Sequence, residues 1–409
     1  MSNFNTGDMA FMIFSAALVM LMIPGLALFY GGLVKSKNVL STTMHSYAAL
    51  AIISIQWIVI GYSLSFGPNV NGIIGNLNWA FLRNVGFESN SYAPTIPHLL
   101  FVVFQMMFAV ITIAVVSGSF AERMRFSAFI VFALLWSTLV YDPIAHWVWS
   151  SSGWLHNLGV QDFAGGNVVE INSGVSGLIT ALVLGKRKRT TPEPHNIPMA
   201  VLGGGILWFG WFGFNAGSAL SMNTTAVNAF LTTNTAAAAG AISWSCCEWI
   251  LNKKPTVLGA ISGAVSGLVA ITQGCGFVTP MAAIVIGLVA GIASFCAISY
   301  MKVKLGYDDT LDAFGCHGIS GFCGAIGTGL FATTAVNAAG RNGLLYGNPW
   351  LLVVHLIAAL SCALYAALVT FIILKVMGLF MKIRTDEESE KAGLDVSLHG
   401  EEAYNTTSL

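Results

Sequence analysis

Apolar runs of about 20 residues recur from one end of the chain to the other, each long enough as a helix to cross a hydrocarbon core of roughly 30 Å. They lie near residues 10–30, 41–66, 97–120, 126–148, 163–184, 198–217, 226–250, 256–274, 280–300, 312–332 and 349–380. This pattern predicts an all-α polytopic membrane protein of about eleven spans. Polar positions gather in the short connections. Two ionisable residues interrupt the runs at the same depth: Glu170 in FAGGNVVEINSG and His317 in DAFGCHGISG. In hydrocarbon, an acid and an imidazole at mid-depth mark a pathway for an ion or a proton by default.

Composition agrees with the membrane reading. Of 409 residues, 56% are hydrophobic and 9% charged, against roughly 25% charged in a soluble domain. Lys35, Lys37, Arg123, Arg125, the run Lys186 to Arg189, Lys253, Lys254, Lys302, Lys304 and the group from Lys375 to Lys391 fall at alternate connections, with only Arg83 and Arg341 on the other side. The positive-inside rule then puts the N-terminus outside and the C-terminus in the cytoplasm, in the cell (inner or plasma) membrane. An odd number of spans gives the same answer. MSNFNTGDMA lacks the basic start of a secretory signal, so the first span is expected to be retained. Seven cysteines without metal-ligand spacing read as small buried hydrophobes. The net charge is zero, a basic face balanced by an acidic tail, and nothing points to nucleic acid, a metal or another cofactor.

Glycines are placed regularly in two of the runs. Gly259, Gly263 and Gly267 recur every fourth residue and Gly318, Gly321, Gly324 and Gly327 every third, which predicts small-residue stripes along single helix faces and a tightly packed bundle. Asp162 precedes Glu170 by eight residues, and Asp309 precedes His317 by eight. At about 1.5 Å per residue each ionisable group lies roughly 12 Å along its helix, near the bilayer midplane. Entry from opposite sides suggests two inverted five-helix repeats, near 10–184 and 198–332, followed by an eleventh span at 349–380. Asp162 and Asp309, or Asp312, read first as N-terminal helix caps; attraction of substrate is the alternative for Asp162.

The stretches PGLALFYGGLV, FQMMFAVIT, GSFAERMRFSA, DFAGGNVVEIN, GWFGFNAGSA, DAFGCHGISG and GLDVSLHGEEAY resemble, in order, those of the Amt/Mep/Rh ammonium transporters, most of all the bacterial Amt branch. The resemblance implies a homotrimer with a narrow hydrophobic pore in each subunit. It implies a vestibule of Phe104, Phe108, Trp149 and Ser218 that recruits ammonium, and a gate of Phe108 stacked on Phe214; methylammonium is a second candidate substrate. A cation over an aromatic face gains roughly 0.5 to 2 kcal/mol, and a serine hydroxyl can accept one of its N–H donors. In this family two histidines usually line the conduit; here Glu170 stands where the first is expected, and His317 matches the second.

A carboxyl beside an imidazole is a coupled pair whose proton can rest on either partner. The pair relays a proton, or Glu170 simply satisfies His317 as a buried partner. The other polar groups weigh less: His45, His98, His146 and His156 suit interfacial hydrogen bonds, and His355 and Glu248 suit bonds to neighbouring helices. Residues 381–409 match a cytoplasmic regulatory tail, whose family partner is a PII-type signal protein. An ammonium sensor with little flux and an electroneutral ammonia channel are the alternatives to an electrogenic transporter. The chain has none of the HExxH, nucleophile-elbow or phosphate-loop motifs of an enzyme.

Overall fold

The computed structural model describes residues 4–188 and 194–404; Arg189 of the basic run and the last five residues of the tail lie outside them. Every predicted span falls on helix. We label them α1 (Thr6–Leu33), α2 (Ser36–Phe66), α3 (His98–Phe120), α4 (126–149), α5 (Gly166–Leu184), α6 (Ile197–Gly217), α7 (Thr224–Asn252), α8 (Val257–Thr272), α9 (Pro280–Leu305), α10 (314–331) and α11 (Pro349–Phe380). Among the described residues, eight of these are long and apolar enough to cross a membrane. The other three are α7, rich in Thr, Asn and Ala, and the shorter α8 and α10. The protein is thus an all-α, multi-pass membrane protein with 8 to 11 spans.

Glycine lets the helices meet backbone to backbone, which stands in for the hydrophobic force that lipid removes. A Cβ on Gly203 of α6 would come within 2.2 Å of the Phe29 nitrogen of α1, and one on Gly240 of α7 within 2.3 Å of the Gly263 carbonyl of α8. In α10 the expectation of a single stripe fails. Gly321 faces Ile171 of α5, Gly324 faces Ala270 of α8 and Gly327 faces Ile286 of α9. Three residues turn an α-helix through about 300°, so each successive glycine rotates about 60° backward and finds a different neighbour.

Helices α5 and α10 cross at the centre and run in opposite directions: Gly177 lies by Ala313, Gly174 by Gly318, and Ile171 by Gly321. A Cβ on Gly174 would come within 2.2 Å of the Gly318 nitrogen. That close approach sets the distance between the two ionisable residues.

At one end of the bundle the connections lock together through charge. Arg187 donates to both oxygens of Asp308 at 2.8 and 2.9 Å and to Glu122 at 2.7 Å, while Arg123 reaches Asp308 at 3.2 Å. Burial alone would raise the Asp308 carboxyl, but the hydrogen bonds and charge of Arg187, with Arg123 behind it, hold it below its ordinary range. Burial brings the Arg123 guanidinium down to about 10 against the opposing pull of Asp308, and leaves it charged at neutral pH.

The tail folds back onto this end. Arg384 pairs with Glu390 at 2.6 Å and donates to the Leu184 carbonyl at 2.9 Å. Leu394 N donates to Asn38 at 2.8 Å, Asp395 accepts from Ser41 N at 2.8 Å, and Tyr404 meets His195 at 2.8 Å.

Candidate functional site

The helices of Glu170 and His317 open in the same way. Asp162 accepts from Gly165 N at 2.8 Å, Gly166 N at 2.7 Å and Asn167 N at 2.7 Å, so three free N–H groups at the head of α5 are satisfied by one carboxylate. Asp309 accepts from Phe314 N at 2.7 Å, at the head of α10. Asp312 does not serve as a cap. Its backbone takes a left-handed φ of 60°, and its carboxylate turns to Lys302 at 2.5 Å. Four residues beyond Asp162 and five beyond Asp309 the chain enters a π-helical turn, Gly166–Ile171 and Phe314–Ile319, and these turns carry Glu170 and His317. A π turn adds a residue to the helix and re-aims the side chains on it, and such turns gather at functional sites.

The two side chains meet: His317 Nδ1 lies 2.7 Å from Glu170 Oε2, with Glu170 1% and His317 5% exposed. Beside them runs a narrow cavity walled by Met22, Leu26, Ile111, Val115, Leu207 and Trp211, with Val169 and Phe214 completing it. It offers the centre of a water-sized molecule about 10 Å³, close to the minimum for one such molecule. Apart from Glu170 and His317 the walls give no strong hydrogen-bond partner. A small neutral molecule loses little on entering, whereas a bare cation would lose its hydration.

The aromatic residues singled out in the sequence converge on the far side of Phe214. The Phe108 and Phe214 ring centroids are 4.2 Å apart at 31°, and Phe104 and Trp149 stand edge-on to Phe108 at 4.9 and 5.7 Å. Trp149 is fixed by its indole N–H on the Asp162 carbonyl at 3.0 Å. Its ring also lies over Gly165, where φ is +113° and a Cβ would come within 3.3 Å of the indole. Trp147, two residues earlier, points elsewhere, toward Trp154 and Tyr365. Ser218 ends α6, and its hydroxyl donates to the Phe214 carbonyl at 2.8 Å, which leaves its lone pairs to accept from a donor.

Sequence reasoning missed the apolar walls. Met22, Leu26, Ile111 and Val115 carry no signal that separates a pore wall from a lipid-facing or packing position. It missed the π turns for the same reason. Among the lesser polar residues, His98 bonds Tyr62, and His146 bonds the Ser65 carbonyl and Asn69, both at 3.0 Å. Glu248 accepts from Thr256 N at 2.7 Å at the start of α8. His45 departs from the interfacial expectation: it is buried in α2 among Phe120, Phe126 and Phe129, with neither ring nitrogen hydrogen-bonded among the described residues.

The family model described as Ammonium Transporter Family matches residues 10–404. An ammonium transporter of Bacillus subtilis is 58% identical over 399 residues, covering 97% of this chain and 98% of that one. Ammonium transporter Amt1 of Archaeoglobus fulgidus is 47% identical over 401 residues, covering 97% and 99%. Among solved structures, Mep2 of Saccharomyces cerevisiae superposes with a TM-score of 0.89 at 36% identity, covering 95% of this chain and 89% of that one. A chain described as a sensor Amt protein gives 0.87 at 27% identity, covering 96% and 98%. With the family model spanning nearly its whole length and relatives this similar from end to end, the chain belongs to the ammonium transporter family, whose members are membrane transporters and not enzymes.

Proposed function

We propose that the protein carries ammonium across the membrane in two parts, as ammonia through the apolar cavity and as a proton passed between Glu170 and His317. The observation that carries this reading is the 2.7 Å contact of the two groups beside a cavity with room for about one water-sized molecule. Ammonium is held at the outer mouth over Phe104, Phe108 and Trp149 and by the Ser218 hydroxyl, where ring faces favour a cation. Phe108 and Phe214 separate that mouth from the cavity, and the cation gives up its proton before passing them. Ammonia then crosses the apolar walls. The proton follows separately, because a carboxyl and an imidazole of one coupled pair can exchange it at little cost.

The excess of Lys and Arg at the tail end supports an outer N-terminus and a cytoplasmic tail. The antiparallel crossing of α5 and α10, with the shared Asp-to-π-turn opening, supports two inverted repeats, in which Glu170 takes the place of the first histidine of the pair. The family resemblance supports a homotrimer with one pore per subunit and regulation at residues 381–409 by a PII-type protein.

The fold is shared with a chain described as a sensor, so it does not separate transport from sensing. Current does. Purified protein in liposomes is expected to give a current after a rapid ammonium jump, with a decay that quickens as protein density rises. A brief current with a density-independent decay would leave a binding-only sensor. Uptake without current would leave electroneutral ammonia conduction.

A further inference from the structure

The turn that presents Glu170 is gripped from outside the conduit by two polar side chains that line no part of the cavity. Gln273 follows α8 directly and His355 lies in the second turn of α11; both are fully buried, with Gln273 Nε2 2.7 Å from His355 Nδ1. With the amide nitrogen turned to the ring, Gln273 donates and His355 accepts through an unprotonated Nδ1, an arrangement in which the ring is neutral with its proton on Nε2.

Gln273 in turn holds the start of α5. Its carbonyl accepts from Phe163 N at 3.0 Å, and that of Thr272 accepts from Ala164 N at 3.2 Å. Its side chain fills the space beside Gly166, where a Cβ would come within 2.5 Å of both Gln273 Cβ and Oε1. Gly166 N is tied to Asp162, and the carbonyl of Gly165 receives Glu170 N at 3.1 Å. Contact is therefore unbroken from His355 to the backbone of Glu170.

Packing alone gives no reason for this pair. Among the described residues His355 Nε2 and Gln273 Oε1 are both buried without a hydrogen-bond partner, and two apolar side chains of the same shape would fill the space at lower cost. We propose that His355 is a positioning residue for Glu170: through Gln273 it sets the height and rotation of the 166–171 turn and so the fit of Glu170 against His317. The titratable groups in electrostatic reach of Glu170 include His317 on α10 and Tyr30 on α1; His355 acts on it through the backbone. Only the consequence for transport rests on the proton-exchange reading.

The test reads Glu170 itself. In infrared difference spectra of the full-length protein in liposomes, the Glu170 carboxyl band is identified by its loss in Glu170→Gln. His355→Leu, which cannot accept from Gln273, is expected to displace that band and to move the pH midpoint of the ammonium current. His355→Gln, whose carbonyl can accept, is expected to restore both. An unmoved band in His355→Leu, or an equal displacement in both variants, overturns the proposal. A displaced band with an unmoved current profile keeps the positioning and overturns the conduit reading instead. Gln273→Asn, which withdraws the amide by one methylene, is read in the same way if His355→Leu does not fold.

Discussion

Two buried assemblies of ionisable side chains sit in this molecule, and they are built on opposite plans. At the tail end, Glu122, Arg123, Arg187 and Asp308 close a network in which Asp308 alone accepts from the Arg187 side chain, the Arg187 main chain and Arg123. Glu122 there takes Lys35 N and Asn38 as well as Arg187. At mid-depth, Glu170 and His317 share a single side-chain contact beside a cavity. A network with nearly every donor and acceptor filled fixes geometry and has no reason to release a proton. A pair with one bond and an open flank is free to exchange its proton, as the proposed function requires.

Breaking the saturated network is expected to have the largest effect. Asp308→Ala removes the carboxylate that buried Arg123 pairs with and leaves Arg187 only Glu122, a loss of about 3 kcal/mol, read as a lowered unfolding temperature in detergent. Because the folded carboxyl titrates below its ordinary value, its contribution is present above the unfolded pKa and is lost as pH falls through the folded one. The wild-type unfolding temperature should therefore drop below about pH 4 more steeply than that of Asp308→Asn. Parallel slopes would deny Asp308 that role.

The sparse pair should respond in transport instead. Glu170→Ala is expected to remove nearly all net charge movement while the protein still folds and assembles, and an unchanged current would end the relay idea. Glu170→His keeps an ionisable partner for His317 and should move the pH dependence of uptake; a superimposable profile would mean that this position does not set it.

Smaller effects lie at the two ends. Phe108→Leu keeps much of the bulk but loses the ring face, so half-saturating ammonium should rise about two- to thirtyfold, the span of a cation–ring contact of roughly 0.5 to 2 kcal/mol. No change would take Phe108 out of cation selection. Asp395→Ala removes the carboxylate that caps Ser41 N. A lost cap costs about 1 kcal/mol, visible as faster proteolysis of residues 381–404 with the membrane helices untouched.

Much of this comparison is written in the chain, for physical reasons that differ by residue. Spans are legible because a bilayer demands about 20 apolar residues whatever surrounds them. Glu170 and His317 are legible because hydrocarbon makes any ionisable group an exception. Asp162 is legible as a cap because a carboxylate before a helix has one cheap use. Asp312 carried the same signal and went to Lys302, since a competing cation within reach is a matter of folding. Trp147 and Trp149 are two residues apart in one apolar run, and only the fold decides that Trp149 turns to Phe108.

The sequence by itself determined a helical membrane protein, its basic end, its two mid-depth ionisable groups and the family to which it belongs. The first three follow from local chemistry against a fixed solvent; the family follows from matching stretches along the whole chain. Only the tertiary structure decided that Glu170 and His317 touch, that glycines at 174 and 318 permit it, that π turns aim them, and that Met22, Leu26, Ile111 and Val115 wall a cavity. Each of these depends on which helix meets which, and pore-facing, packing and lipid-facing apolar residues are chemically the same until the fold separates them.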